Sequence, residues 1–161
     1  MRFHLVDRIL EIEPGKSIRL VKNLTRSEEY LADHFPTFPV MPGVLMLQTL
    51  VEGAAWLLHA TENFRHSVIV LRDARNVKYG NFMQPGHSML ISVEATDYDS
   101  AKPMLTFKGK AEAPGSGTTV VAKFTVARYN LADRNPSLAA VDQRIISQLK
   151  DHYRILRGEL G

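Results

Sequence analysis

Hydrophobic positions recur with two different periods along this chain, and the changes of period mark its elements. From Ser17 to Leu24 apolar and polar residues alternate, the period-two signature of a half-buried strand. Phe3 to Glu13 mixes apolar and charged residues and ends in the turn signal Pro14-Gly15-Lys16, which makes the two stretches a paired opening. Val44 to Ala60 is apolar on most sides, the pattern of a buried helix. Ser67 to Tyr79, His87 to Asp97, Met104 to Ala113 and Thr118 to Tyr129 are rich in Val, Ile, Thr and aromatic residues. Turns such as Gln84-Pro85-Gly86 and Pro114-Gly115-Ser116-Gly117 separate them, so they predict four successive strands. After Ser137, a residue type suited to an N-cap, Val141, Ile145, Leu149, His152 and Leu156 recur at spacings of three and four and predict an amphipathic helix.

One long apolar helix among about six strands predicts an α+β fold, with an antiparallel sheet wrapped around a central helix at about residues 42–60. Residues 1–130 then form a single domain, and 131–161 an extension whose helix packs on that domain or on a dimer partner, or recruits another protein. The composition, 45% hydrophobic and 23% charged over 161 residues, is that of an ordinary globule and argues against disorder. With no Cys there is no disulfide framework, thiolate nucleophile or Cys-ligated zinc, which fits a cytoplasmic location. No stretch reads as a signal peptide or an uninterrupted membrane span, so a soluble protein without membrane insertion is expected. The net charge of +3 is small and dispersed, which argues against a nucleic-acid surface and leaves room for an acidic protein partner.

Candidate chemistry concentrates in His34-Phe35-Pro36-Thr37-Phe38-Pro39-Val40-Met41-Pro42-Gly43-Val44-Leu45. Residues 25–41 are dense in Pro, aromatic and charged residues without sustained periodicity, which puts His34 on a loop, where its imidazole can exchange protons near neutral pH. Pro42 suits the first position of the helix and has no N–H, so Gly43 and Val44 present the first donors at the positive end of the helix dipole. Gly43 lets a ligand approach that backbone closely, although the same residues also make an ordinary helix start. One turn inside the helix, Gln48 and Glu52 lie four apart and form a polar stripe on an apolar cylinder. A carboxyl there needs a partner, which Glu52 finds in His34, an Arg or water.

The run resembles the active-site segment H-F-P-x-x-P-x-x-P-G-V-L of the beta-hydroxyacyl-ACP dehydratases of fatty acid synthesis. Further segments, Leu5-Val6-Asp7-Arg8, Lys22-Asn23-Leu24-Thr25, Phe82-Met83-Gln84-Pro85-Gly86 and Phe107-Lys108-Gly109-Lys110-Ala111, are similar to family segments and follow in the family's order. The resemblance implies a hot-dog fold and removal of water from a (3R)-3-hydroxyacyl thioester, giving the trans-2-enoyl thioester. It also implies His34 as base, Gly43 and Val44 as carbonyl-binding donors, and a tunnel lined by Phe35, Phe38, Val44 and Leu45, although those side chains would serve equally as core. The family places a Glu or Asp where this chain has Gln48, an amide that donates a hydrogen bond but no proton. Glu52 either replaces that acid from one turn further along or is structural near a dimer interface. The implied site spans two subunits, so a homodimer or dimer-based higher oligomer is expected, acting on an acyl carrier protein or coenzyme A thioester without a cofactor.

Two other functions compete with the dehydratase, a hydro-lyase. One is a hot-dog thioesterase in which Glu52 activates water; the other is a non-catalytic acyl-binding homologue or partner subunit, which Gln48 favours. His4, His59, His66, His87 and His152 show no ligand spacing along the chain, so no metal site is expected. Arg72, Arg75, Lys78, Lys108 and Lys110 either dock an acidic carrier protein or are simply solvated strand charge.

Overall fold

A computed structural model describes residues 4–159, so Phe3, the start of the expected opening stretch, lies outside the described residues. Strands β1 (Arg8–Glu13) and β2 (Ser17–Asn23) form a hairpin, followed by a 3₁₀ turn at Glu29–Ala32 and the helix α1 (Gly43–Thr61). Strands β3 (Val68–Tyr79), β4 (Ser88–Ala95), β5 (Met104–Ala113) and β6 (Gly117–Tyr129) come next, and the helix α2 (Ala139–Arg157) ends the chain. The six strands make one sheet in the order β1-β2-β4-β5-β6-β3, every neighbouring pair antiparallel. This is the hot-dog arrangement of the expected α+β class.

The alternation in β2, β4, β5 and β6 turns one face of the sheet onto α1. Leu50, Ala54, Leu57 and Leu58 of the helix share a core with Leu20, Ile91, Val93, Phe107 and Phe124. Close approach needs two glycines: a Cβ on Gly53 would lie 2.9 Å from Leu20 Cδ1, and one on Gly109 3.0 Å from Leu50 Cδ1. Helix α1 is long and apolar enough to cross a bilayer, but the sheet and the chain ends cover it, so its apolarity is spent on the core. Lys22 keeps the apolar alternation of β2 only nominally, because it is buried and pairs with Glu28.

The C-terminal helix differs in detail from expectation. Ser137 is not its N-cap: it lies in a 3₁₀ turn at Pro136–Leu138, where its N–H donates to the Asn135 side chain, and α2 begins at Ala139. Of the expected stripe, Ile145, Leu149, His152 and Leu156 are partly or fully buried and Val141 is exposed, while Asp142, Ile146 and Tyr153 join the inward side. Asp142 explains the shift, since its carboxylate accepts from Ser67 Oγ and from the Leu131 and Ala132 N–H groups at 2.9 Å, which fixes the helix rotation.

Candidate functional site

His34 follows the 3₁₀ turn at Glu29–Ala32, and the loop holds it by backbone bonds on both sides: its N–H donates to the Tyr30 carbonyl at 3.1 Å, and its carbonyl accepts from Val40 N–H at 3.2 Å. The His34–Phe35 peptide bond is cis. The imidazole Nδ1 lies 2.9 Å from the Val40 carbonyl oxygen. A carbonyl only accepts, so Nδ1 carries a proton, and the neutral ring is the tautomer with its lone pair on Nε2. Val40 is fully buried, and the adjacent Met41 N–H donates to the Met83 carbonyl at 2.8 Å, so the acceptor that fixes the tautomer is itself anchored.

Pro42 is the N-cap rather than the first helical residue, with its carbonyl accepting from Leu45 and Met46 N–H at 3.0 and 3.1 Å. Gly43 and Val44 therefore precede the first intrahelical bond, and their N–H groups are the ones a ligand can use. The Tyr79 ring covers the Cα of Gly43 so closely that a Cβ there would sit 3.0 Å from Cε1. Val44 is 69% exposed, Phe35 53% and Phe38 44%, so these three are surface residues of the protomer and not core, whereas Leu45 packs partly against the core. Phe38 meets Phe82 edge-on at 5.6 Å between ring centroids, and Phe82 is itself 65% exposed.

Gln48 and Glu52 emerge on one side of α1, where they line a cavity of about 260 Å³ together with His4, Val51, Ala55, Trp56, His59, Ser67, Val68, Ile69 and Leu149. Among the described residues, Glu52 is the only carboxyl in that lining, and His34 of the same protomer is not part of it. The Glu52 oxygens accept from Leu5 N–H at 3.0 Å and from Trp56 Nε1 at 3.3 Å. Burial pushes its carboxyl up to about 7, against the opposing pull of these donors and of the more distant Lys22 charge. His59 lies deeper, stacked on Phe64 at 5.6 Å, and burial aided by the nearby His66 charge pushes it down to about 4.

The structure thus brings His34, Phe35 and Phe38 together on one loop beside the Gly43 helix start, and it brings Gln48 and Glu52 together in a separate cavity. Two features escaped the sequence. Tyr79, the last residue of β3, packs on Gly43, a long-range contact that no local pattern encodes. His4 and His152 have no ligand spacing along the chain, yet the fold gathers them against Glu52, with all three ligand atoms within 4.8 Å of one another. The return of α2 over the end of the opening segment does this.

Comparisons with known proteins bear on this arrangement. Residues 1–123 match the FabA-like domain. The 3-hydroxyacyl-(acyl-carrier-protein) dehydratase FabZ of Aromatoleum aromaticum is 37% identical over 133 residues, which is 81% of this chain and 90% of that protein. FabZ of Wolbachia pipientis is 38% identical over 89 residues, or 55% of this chain, and the match spans 62% of that relative's length. Among solved structures, a dehydratase heterocomplex from Xenorhabdus doucetiae superposes with a TM-score of 0.64 at 13% identity, covering 84% of this chain and 90% of that one. A Streptococcus mutans protein bound to acetyl-CoA gives 0.57 at 13% identity over 80% and 92%. At such identities these two structures share the fold.

Proposed function

The chain belongs to the FabA-like domain family, and on that premise we propose that it is a 3-hydroxyacyl-acyl-carrier-protein dehydratase working in the cytoplasm on thioesters of fatty acid synthesis. The observation that carries the reading is the Nδ1–H bond from His34 to the Val40 carbonyl. In the neutral ring that bond puts the lone pair on Nε2, the atom a base uses. Nε2 takes the proton from the carbon next to the thioester carbonyl, and the Gly43 and Val44 N–H groups hold the charge that develops on the carbonyl oxygen. The bond from the third carbon to the hydroxyl then breaks, its oxygen gains a proton, and water leaves an enoyl thioester.

The proton comes from Glu52 of a second copy of the chain, with Gln48 donating a hydrogen bond to the departing hydroxyl. Two observations support this division: among the described residues Glu52 is the only carboxyl lining the Gln48 cavity, and His34 of the same protomer is not in that lining. Exposed Phe35, Phe38 and Val44 then become tunnel wall once two copies associate.

The test follows enoyl formation and thiol release separately on carrier-bound 3-hydroxyacyl substrates. His34→Asn retains an amide donor for the Val40 carbonyl but has no base, so the variant should fold normally and lose about 10²- to 10⁴-fold in enoyl formation. Glu52→Gln should lose a similar factor, and Gln48→Glu should recover activity in that background. Full activity in His34→Asn would refute the dehydratase, while full activity in Glu52→Gln would remove Glu52 from the chemistry and leave the base in place. Thiol release without enoyl product would convert the reading to a thioesterase.

A further inference from the structure

Beside the Gln48 cavity three side chains from three separate segments converge: His4 from the chain start, Glu52 from α1 and His152 from α2. We propose that His4, Glu52 and His152 form a binding site for one divalent transition-metal cation of the zinc or cobalt type. Two imidazoles and one carboxylate are a donor set that such ions favour, and three protein ligands leave a coordination position open to the cavity.

The geometry is close to what binding needs. Metal–nitrogen and metal–oxygen bonds of about 2.0–2.2 Å put ligand atoms roughly 3–3.5 Å apart. The three ligand atoms here lie within 4.8 Å of one another, so side-chain rotations of about an ångström close the set. The His4 and His152 rings already stand 4.0 Å apart at their centroids, and His152 rests against Trp56 at 5.4 Å. Glu52 is oriented by donors outside the set, Leu5 N–H and Trp56 Nε1, as metal-ligating carboxylates usually are. His4 is exposed, which gives an ion a path in.

The site shares Glu52 with the dehydratase reading, but it needs neither His34 nor a substrate, so cation binding is measured separately from turnover. Where a cation is bound, Glu52 is held ionised and supplies no proton. It would also tie both ends of the chain to the central helix, and so α2 would be fastened when the cation is present.

The test uses full-length protein without a histidine tag, stripped with a chelator and then titrated with ZnCl₂ by calorimetry and with CoCl₂ by visible absorption. One saturable cation per chain is expected, with ligand-field bands for cobalt that show nitrogen and oxygen ligation. His4→Gln, His152→Gln and Glu52→Gln should each weaken zinc binding by about tenfold or more. Since Glu52→Gln also disturbs contacts to Leu5 and Trp56, the exposed His4→Gln variant is the control whose folding is secure. No saturable binding, or wild-type affinity in both His4→Gln and His152→Gln, would overturn the site.

Discussion

At the scale of single residues, burial separates two histidines near the apolar helix. His34 is partly exposed and fixed by one backbone acceptor, whereas His59 is 5% exposed and its Nδ1 has no hydrogen-bond partner among the described residues. Both were visible in the sequence as histidines near an apolar helix, and the neighbouring motif singled out His34 alone. Nothing local distinguishes a wedged imidazole such as His59, because Phe64, which stacks on it, folds back from beyond the helix end. A base held neutral in the fold and free to protonate when unfolded makes stability depend on acid. With the folded value near 4 against an ordinary 6.5, the unfolded chain takes up the proton first. The contribution is complete above pH 6.5 and is lost as pH falls towards 4, by about 3 kcal/mol. Unfolding free energies from urea titrations should fall between pH 7 and 4.5, and that of His59→Leu should fall less by roughly that amount; equal pH dependence in the two proteins would show that His59 charges in the fold without cost.

At the scale of elements, period located α1 and strands β2 to β6 to within two residues, because each has a face that must be buried, whereas the opening stretch expected from Phe3 becomes a strand only at Arg8. It missed where α2 starts and the first buried position, because Asp142 and not Val141 faces inward, held by Ser67, Leu131 and Ala132, partners scattered along the chain. The same difference between local and tertiary control makes Gly53 informative. Replacing it by Ala would improve helix propensity by about 1 kcal/mol. The new methyl, however, would stand 2.9 Å from Leu20 Cδ1 and 3.1 Å from Val93 Cγ2, both on fully buried side chains with no space to yield. Overpacking of that kind costs about 1–3 kcal/mol, so Gly53→Ala should lower stability on balance, which chemical denaturation would measure. An increase would mean that the sheet moves away from α1 more easily than its packing implies.

At the scale of the whole molecule, the protomer has an unfinished edge. Among the described residues, strand β3 pairs on one side only, with β6, and its twelve residues offer the other row of backbone groups to anything that can match them. Val70 and Leu71 are each 38% exposed on that strand, and Tyr79, Phe82, Phe35 and Val44 extend the apolar surface from its far end towards the helix start. Arg72, Asp73, Arg75 and Lys78 interrupt it with charge, and two register shifts bend the edge, devices that discourage open-ended stacking but tolerate one symmetric neighbour. The motif suggested a two-subunit site only by resemblance; the exposed edge supplies a physical reason for it. If β3 pairs with β3 of a second copy, light scattering should give twice the chain mass of 18.1 kDa. Val70→Lys combined with Leu71→Lys should then give a folded monomer at micromolar concentration, because like charges would face each other across the two-fold axis. That monomer should lose enoyl formation although His34, Gly43, Gln48 and Glu52 are all intact, since each site would lack the half that the other copy provides. A double variant that remains dimeric, or a monomer with full activity, would place the interface elsewhere or the whole site within one chain.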